Sequence, residues 1–288
     1  MRPLENTSTE QPITALAALL AGRRFVALTG AGCSTESGIP DYRGPETRMR
    51  ARNPIQGREF ARSADVRRRY WARAVVGWER FSKAKPNPAH KALAALEHEG
   101  ALSAIITQNV DGLHQEAGSR NVIELHGSLG DVICLECGVI EPRASVQRRL
   151  LEQNPGWLSL AAEIAPDGDA EISQEHLERF VVAGCLACDG PLKPRVVFFG
   201  ENVPKPVVDS AFARLHEGAA LLVVGSSLAV FSGYRFVLRA AERRIPIAMV
   251  NLGPARGAEL SAVRIDGKAG EVLPKVAELL AANNLKPA

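Results

Sequence analysis

Four of the five cysteines form two pairs of identical spacing, Cys134-Leu135-Glu136-Cys137 and Cys185-Leu186-Ala187-Cys188. Each Cys-x-x-Cys turn aims two sulfurs at one centre, so the pairs together suit a closed tetrahedral Zn²⁺ site. With all four positions filled no place is left for a reactive water, and such a zinc is structural. A redox disulfide is the other reading of either pair alone. Gly138 and Gly190, just beyond the pairs, fit tight knuckle turns. Cys33 stands apart, in Thr29-Gly30-Ala31-Gly32-Cys33-Ser34-Thr35, as a small packing residue or a reactive thiol. That segment begins like a dinucleotide-binding fingerprint, in which glycines after a strand let backbone N–H groups approach a pyrophosphate. Thr35 replaces the third glycine, and Met49-Arg50-Ala51 stands where an ordinary dehydrogenase carries its ribose-binding carboxylate. Hydride transfer is therefore disfavoured, and a tight turn without a ligand stays open at this point.

These groups need elements to position them. Phe25–Thr29, Ala104–Thr107, Arg195–Phe199, Ala220–Val224 and Ile247–Asn251 are short, near-continuous apolar runs. Apolar residues at helical spacing separate them, at about 13–20, 89–98, 207–216, after Ser232 and at 271–280. That alternation predicts parallel strands buried on both faces, an α/β doubly wound, Rossmann-like sheet. Ligands of such sheets bind beyond the carboxyl ends of strands, which brings Gly30, Gln108, Gly225 and Asn251 to one crevice. Two stretches break the rhythm. Residues 43–85 are rich in arginine and tryptophan and read as mostly helical, and 131–190, with turn signals at Asn154-Pro155-Gly156 and Pro166-Asp167-Gly168, read as an insertion.

At 288 residues, 46% hydrophobic and 23% charged, the chain can bury a large core. A net charge of +3 is too slight to mark a nucleic-acid partner, and Arg67-Arg68-Arg69 reads as a solvated helix face. No apolar run approaches the roughly 20 residues of a membrane span. Residues 1–10 match neither a secretory nor a transit signal and are expected to be flexible, and a cytoplasmic setting follows as the expectation.

The glycine segment continues as Glu36-Ser37-Gly38-Ile39-Pro40-Asp41-Tyr42-Arg43, and is followed by Gln108-Asn109-Val110-Asp111 and Glu124-Leu125-His126-Gly127-Ser128. Together with both cysteine pairs, Gly225-Ser226-Ser227 and Asn251-Leu252-Gly253, these motifs resemble, in order over about residues 13–282, the sirtuins, NAD-dependent protein deacylases. Residues 192–204, 225–236 and 86–90 are most similar to class II, the group of the mitochondrial lipoamidase and ADP-ribosyltransferase type. The resemblance implies an NAD-binding domain from 11–42, 86–130 and 191–284, and a small domain with a helical part, 43–85, and a zinc part, 131–190. It also implies that the acyl group passes from lysine to ADP-ribose with release of nicotinamide. His126 is then the general base that takes a proton from a ribose hydroxyl, a task its near-neutral pKa suits. Asn109 joins it in catalysis, and Gln108 and Asp111 orient the ribose, the nicotinamide side or a water; Asp111 can instead cap a helix. The remaining NAD contacts implied are Gly30, Ala31, Gly32, Thr35, Asp41, Tyr42, Arg43, Gly225, Ser226, Ser227, Asn251, Leu252, Gly253 and Ala269.

An acyl-lysine peptide would lie between the two domains and add as a strand along Val196, Phe198, Gly200, Glu201 and Val230, as in the family's peptide clamp. Val196 and Phe198 line an apolar tunnel for the acyl-lysine or belong to the core. Tyr70-Trp71-Ala72-Arg73 repeats the Tyr-x-x-Arg spacing by which desuccinylating sirtuins hold a carboxylate, although the family's pair aligns nearer Val76. Protein mono-ADP-ribosyl transfer and a non-catalytic NAD or ADP-ribose sensor are the competing functions. The oligomeric state is not legible.

Overall fold

The computed structural model describes residues 7–41, 54–159 and 174–284. In chain order the elements are α1 (Thr7–Leu20), β1 (Phe25–Thr29), α2 (Gly57–Arg62), α3 (Ala64–Phe81), α4 (Pro88–His98), β2 (Leu102–Thr107), α5 (Leu113–Glu116), β3 (Val122–Glu124), β4 (Gly127–Cys134), β5 (Ile140–Pro142), α6 (Arg143–Gln153), α7 (Gln174–Arg179), β6 (Leu192–Val196), α8 (Lys205–Glu217), β7 (Ala220–Val224), α9 (Phe231–Glu242), β8 (Ile247–Val250), β9 (Val263–Ile265) and α10 (Ala269–Asn284). Short 3₁₀ turns at Ala31–Cys33 and Thr35–Ser37 follow β1.

Six strands form one parallel sheet in the order β3-β2-β1-β7-β8-β9. The apolar runs explain why. Alternate residues of β1 enter two separate cores, Phe25 and Ala27 with the α1, α4 and α10 side chains, Val26 and Leu28 with those of α8 and α9. A strand apolar at every position satisfies helices on both faces. This is the doubly wound sheet expected from the sequence. The edge strands β3 and β9 are three residues long and left no periodic signal.

The expectation for Arg195–Phe199 is corrected. The strand is Leu192–Val196, and it pairs antiparallel with β4 in a second sheet of order β5-β4-β6. Its burial alternates instead of being continuous, and Pro194, lacking an N–H, suits an edge. The chain therefore crosses into the small domain at Gly127 and returns at Val196, a few residues outside the expected 131–190. Helix α1 likewise begins at Thr7, inside the stretch expected to be flexible. A third core joins the helical and zinc parts of the small domain: Phe60, Tyr70, Trp71 and Val75 pack with Val132, Val146, Leu150 and Leu192. Buried Trp71 donates its indole N–H to the Leu192 carbonyl at 3.1 Å, tying α3 to β6.

Candidate active site and zinc centre

The ends of β2, β1, β7 and β8 are adjacent, and Gln108, Gly30, Gly225 and Asn251 follow them directly. The loops after β1 and β7 touch backbone to backbone. Gly32 N–H donates to the Gly225 carbonyl at 2.8 Å, and a Cβ on Gly30 would stand 2.8 Å from that of Ser226. Gly225 has φ +58°, and any side chain there would run into the Cys33 amide. The glycines thus permit a close approach that leaves the turn's backbone uncovered, as a phosphate cradle requires. Ala31 is half-buried beside them, and Thr35, exposed, donates its hydroxyl to the Gly32 carbonyl at 3.1 Å. Asp41 ends this part of the loop, half-buried. Tyr42 and Arg43 lie outside the described residues, as do Met49-Arg50-Ala51, Pro166-Asp167-Gly168 and residues 1–6.

A polar network underlies the cradle. Asn109 Nδ2 donates to the Gly30 carbonyl at 3.1 Å and to Ser34 Oγ at 3.0 Å. Ser34 donates to Asp111 Oδ2 at 2.7 Å, while Asp111 Oδ1 accepts the Leu113 N–H at 3.0 Å. Asp111 thus steadies the α5 turn, in line with the capping reading, and through Ser34 holds the glycine loop. Gln108 Nε2 reaches Ser226 Oγ at 2.8 Å, linking β2 to β7. Behind the network His90 and His114 lie fully enclosed, their rings 4.8 Å apart. Burial holds His114 down to about 3, and its neighbour His90 is lowered by the same cause, so both are neutral imidazoles. Burial, reinforced by Asp111 and Glu36, pushes the Cys33 thiol far up, so its sulfur is no reactive thiolate as it stands.

His126 follows β3 through Leu125. Its Nδ1–H donates to the Gln108 carbonyl at 2.9 Å, which fixes the proton on Nδ1 and leaves Nε2 a bare acceptor. Ser232, in the first turn of α9, donates its hydroxyl to that nitrogen at 2.8 Å. Burial lowers the imidazole from its ordinary value against the opposing Gln108 bond, with Arg235 adding to the lowering. A neutral imidazole at a strand end whose lone pair exchanges the serine hydroxyl for a bound one can take the bound hydroxyl's proton. The sequence pointed to His126 but not to Ser232 as its partner, since a serine sharing a stretch with the substrate clamp carries no signal for a contact across 106 positions. Ser34, the hub of the network, likewise has no local signal within the glycine segment for its contacts with Asn109 and Asp111.

On the far side of β7, Ser226 is buried, its Oγ accepting the Leu228 N–H at 3.3 Å, and the Ser227 carbonyl accepts the Arg256 N–H at 2.9 Å. Asn251 Nδ2 donates to the Leu252 and Gly253 carbonyls at 3.2 and 3.1 Å, which curls Asn251-Leu252-Gly253 over the end of β8 and leaves the amide oxygen for a ligand hydroxyl. The Leu252 side chain is exposed. Ala269 opens α10 buried, and the next amide, Gly270 N–H, donates to Glu36 Oε2 at 2.8 Å, so the glycine loop and α10 meet.

Of the expected clamp, the stretch around Val196 and Phe198 runs beside His126: Val197 N–H donates to the His126 carbonyl at 2.8 Å. Phe198 packs on Phe60 and Tyr70, with centroids at 5.0 and 5.6 Å, and so belongs to the small-domain core at one edge while remaining partly exposed at the other. Glu201 accepts the Phe198 N–H at 2.8 Å and pairs with Lys193 at 3.1 Å, pinning the turn at Gly200, where φ is +79°. Val196 is half-buried, and Val230, Phe231 and Phe199 are exposed apolar groups. Tyr70 is buried among Phe60, Trp71 and Phe198. Arg73, one turn on, keeps a buried Nε without a partner.

Cys134 closes β4 and faces Cys188 at an Sγ–Sγ distance of 3.5 Å; Cys137 faces Cys185 at 3.6 Å. Zinc–sulfur bonds of about 2.3 Å put tetrahedral sulfurs roughly 3.8 Å apart, so the four thiols fit the ion. The Glu136 and Ala187 amides each point at the first sulfur of their pair, at 3.4 Å, as suits a thiolate. The knuckle expectation is half corrected. Gly138 has φ +73°, but the matching position of the second pair is Asp189, at +58°, and Gly190 instead permits close packing on Glu136 and the Cys134 sulfur.

Comparison with known proteins agrees with this geometry. Residues 30–232 match the Sir2 family. The chain is 49% identical over 257 residues to NAD-dependent protein lipoamidase sirtuin-4, mitochondrial, of Homo sapiens, covering 88% of this chain and 82% of that one. It is 51% identical over 270 residues to NAD-dependent protein deacetylase 1 of Mycobacterium avium, covering 92% and 94%. Among solved structures, one reported under "Structural Basis for the Mechanism and Regulation of Sir2 Enzymes" superposes with a TM-score of 0.75 at 33% identity, over 95% of this chain and 99% of the other. Sir2Af2 bound to a myristoylated histone peptide superposes with a TM-score of 0.69 at 30% identity, over 96% and 98%.

Proposed function

The chain belongs to the Sir2 family, and from that premise we propose that it is an NAD-dependent protein-lysine deacylase in which His126 Nε2 is the general base. The carrying observation is the Nδ1–H bond from His126 to the Gln108 carbonyl at 2.9 Å, which leaves Nε2 as the basic nitrogen in the crevice where four strand ends meet. Gly30, Gly32, Gly225 and the hydroxyls of Ser226 and Ser227 would hold the phosphates and ribose of NAD, with Asn251 at the adenosine end. NAD supplies the ribose carbon that receives the acyl oxygen as nicotinamide departs. His126 takes the hydroxyl proton at Nε2, and Ser232, which holds that nitrogen in its absence, gives way. Asn109 and Asp111, braced through Ser34, keep the nicotinamide side of the site in place. Four thiolates hold one structural Zn²⁺, which fixes the small domain against the cleft and takes no part in the chemistry.

The acyl group is read as bulky and apolar. Phe198, partly exposed and backed by buried Phe60, offers an apolar ring beside the clamp, and the 49% identity to a lipoamidase supports the same class. The Tyr70–Arg73 pair supports carboxylate recognition less, because the Tyr70 ring is packed among three aromatic residues. Mass spectrometry of incubations with NAD and lipoyl-, acetyl- and succinyl-lysine peptides tests both levels. Acyl-ADP-ribose with free lysine peptide supports deacylation. A mass gain on protein without acyl loss would instead identify ADP-ribosyl transfer.

A further inference from the structure

Cys33, His90 and His114 are not used by the chemistry above, yet they form a second group of metal-binding donors. Each is completely or almost completely enclosed, and one ligand atom from each lies within 4.8 Å of the other two. A point between atoms so spaced is at most about 2.8 Å from each, so shifts of up to about 0.7 Å for the nitrogens and about 0.5 Å for the sulfur reach zinc–nitrogen and zinc–sulfur bond lengths. The hydrogen bonds show which lone pairs are available. Thr29 donates its hydroxyl proton to Thr107 at 2.8 Å, so its oxygen accepts from His114 Nε2–H at 2.9 Å, and His114 Nδ1 carries a bare lone pair. That nitrogen is buried and has no hydrogen-bond partner. A buried acceptor left unpartnered costs free energy that an ion would recover. His90 Nδ1 accepts the Asn87 N–H at 3.3 Å, so Nε2 carries the proton and faces Ser34 Oγ at 3.4 Å; both contacts are long, and the Nδ1 lone pair reaches an ion by giving up the Asn87 amide.

We infer that Cys33, His90 and His114 form a second site for Zn²⁺, beneath the glycine loop, whose occupation inhibits the enzyme. Binding replaces the Cys33 S–H bond with an S–Zn bond, and the proton leaves to solvent. The thiolate and the nearby Asp111 carboxylate together balance the charge of the divalent ion, and the thiolate and two imidazoles are the donor set zinc prefers over calcium or magnesium. Drawing His90 toward the ion removes it from Ser34, the residue that braces Asn109 and Asp111 at the cleft. Inhibition therefore needs no contact between the ion and substrate. The site is distinct from the four cysteines, and its existence does not depend on which reaction the cleft performs.

The test is equilibrium dialysis of the full chain, already loaded with one zinc, against low-micromolar Zn²⁺, followed by metal analysis and, separately, by the NAD-dependent acyl-loss assay. The wild type is expected to retain two equivalents of zinc and to lose activity as the second binds. Cys33→Ala and the bulkier Cys33→Val are expected to retain one equivalent and to be insensitive to added zinc over the same range. A wild type that retains one equivalent overturns the site, whatever its activity. So does a second equivalent that both Cys33 variants keep. If the second equivalent depends on Cys33 but activity persists, the inhibitory role is overturned. Metal content is read without substrate, so failure here is separable from failure of the deacylase assignment.

Discussion

His126 Nε2 and Ser232 Oγ stand 2.8 Å apart, joining the loop after β3 to the first turn of α9. The serine hydroxyl donates to the neutral imidazole and so occupies the lone pair that an incoming hydroxyl proton must reach. Burial, with Arg235 adding to it, keeps His126 below its ordinary value.

The pH profile follows from that sign. A base must be unprotonated to act, so kcat/KM should climb with pH along a limb centred below the ordinary imidazole value of 6.5, then level off. In Arg235→Gln the cation that adds to the lowering is gone and the midpoint should move up toward 6.5. Initial rates at varied NAD from pH 5 to 9, at saturating peptide, read both curves. A midpoint that stays put or drops in the variant contradicts the assigned effect of Arg235 on the imidazole.

Gly225→Ala tests the meeting of the two loops. A left-handed backbone angle of +58° in a non-glycine residue costs about 1 kcal/mol or more, and the new Cβ also collides with the Cys33 amide. Urea unfolding should show a loss of at least ~2 kcal/mol, and the KM for NAD should rise even where enough folded protein remains to assay. Unchanged stability would mean that the loops are not in contact.

The zinc module should depend on its metal. Prolonged chelation, or Cys185→Ser, should lower the melting temperature and the near-ultraviolet circular dichroism of Trp71 and Trp157, which lie in the small-domain core, with activity falling in step. Activity lost while that signal stays intact would give the metal a chemical role instead.

Arg149 forks onto both Glu141 oxygens at 2.8 and 3.0 Å and reaches the Gly184 carbonyl beside Cys185 at 3.3 Å, with little of either side chain exposed. Arg149→Met leaves that carboxylate without its cation, and removing one partner of a buried pair typically costs about 3 kcal/mol. Denaturant titration checks this, and restoration by the double change Arg149→Met with Glu141→Gln would mark the orphaned charge as the cause.

The sheet was legible because β1, β2, β7 and β8 are apolar at nearly every position, a signature that buried parallel strands write directly into sequence. Residues 192–199 misled for a physical reason: the apolar run Val196-Val197-Phe198-Phe199 is not buried in the large sheet, Phe198 packing instead on Phe60 and Tyr70 while Phe199 stays exposed. The metal ligands were legible because both halves of the zinc site carry their spacing locally. The His126–Ser232 pair and the Cys33, His90 and His114 cluster were not, because their partners come from loops and helices far apart in sequence and meet only once the sheet has formed.

The most direct measurement is on His126→Ala, with NAD affinity and nicotinamide release determined on the same preparation. Calorimetry should find NAD bound within about twofold of wild type, while acyl loss, and with it nicotinamide release over many turnovers, falls by roughly 10²–10⁴-fold, the range for removal of a general base. Acyl loss within about tenfold of the parent rate, with binding intact, would show that the base lies elsewhere and contradict the account.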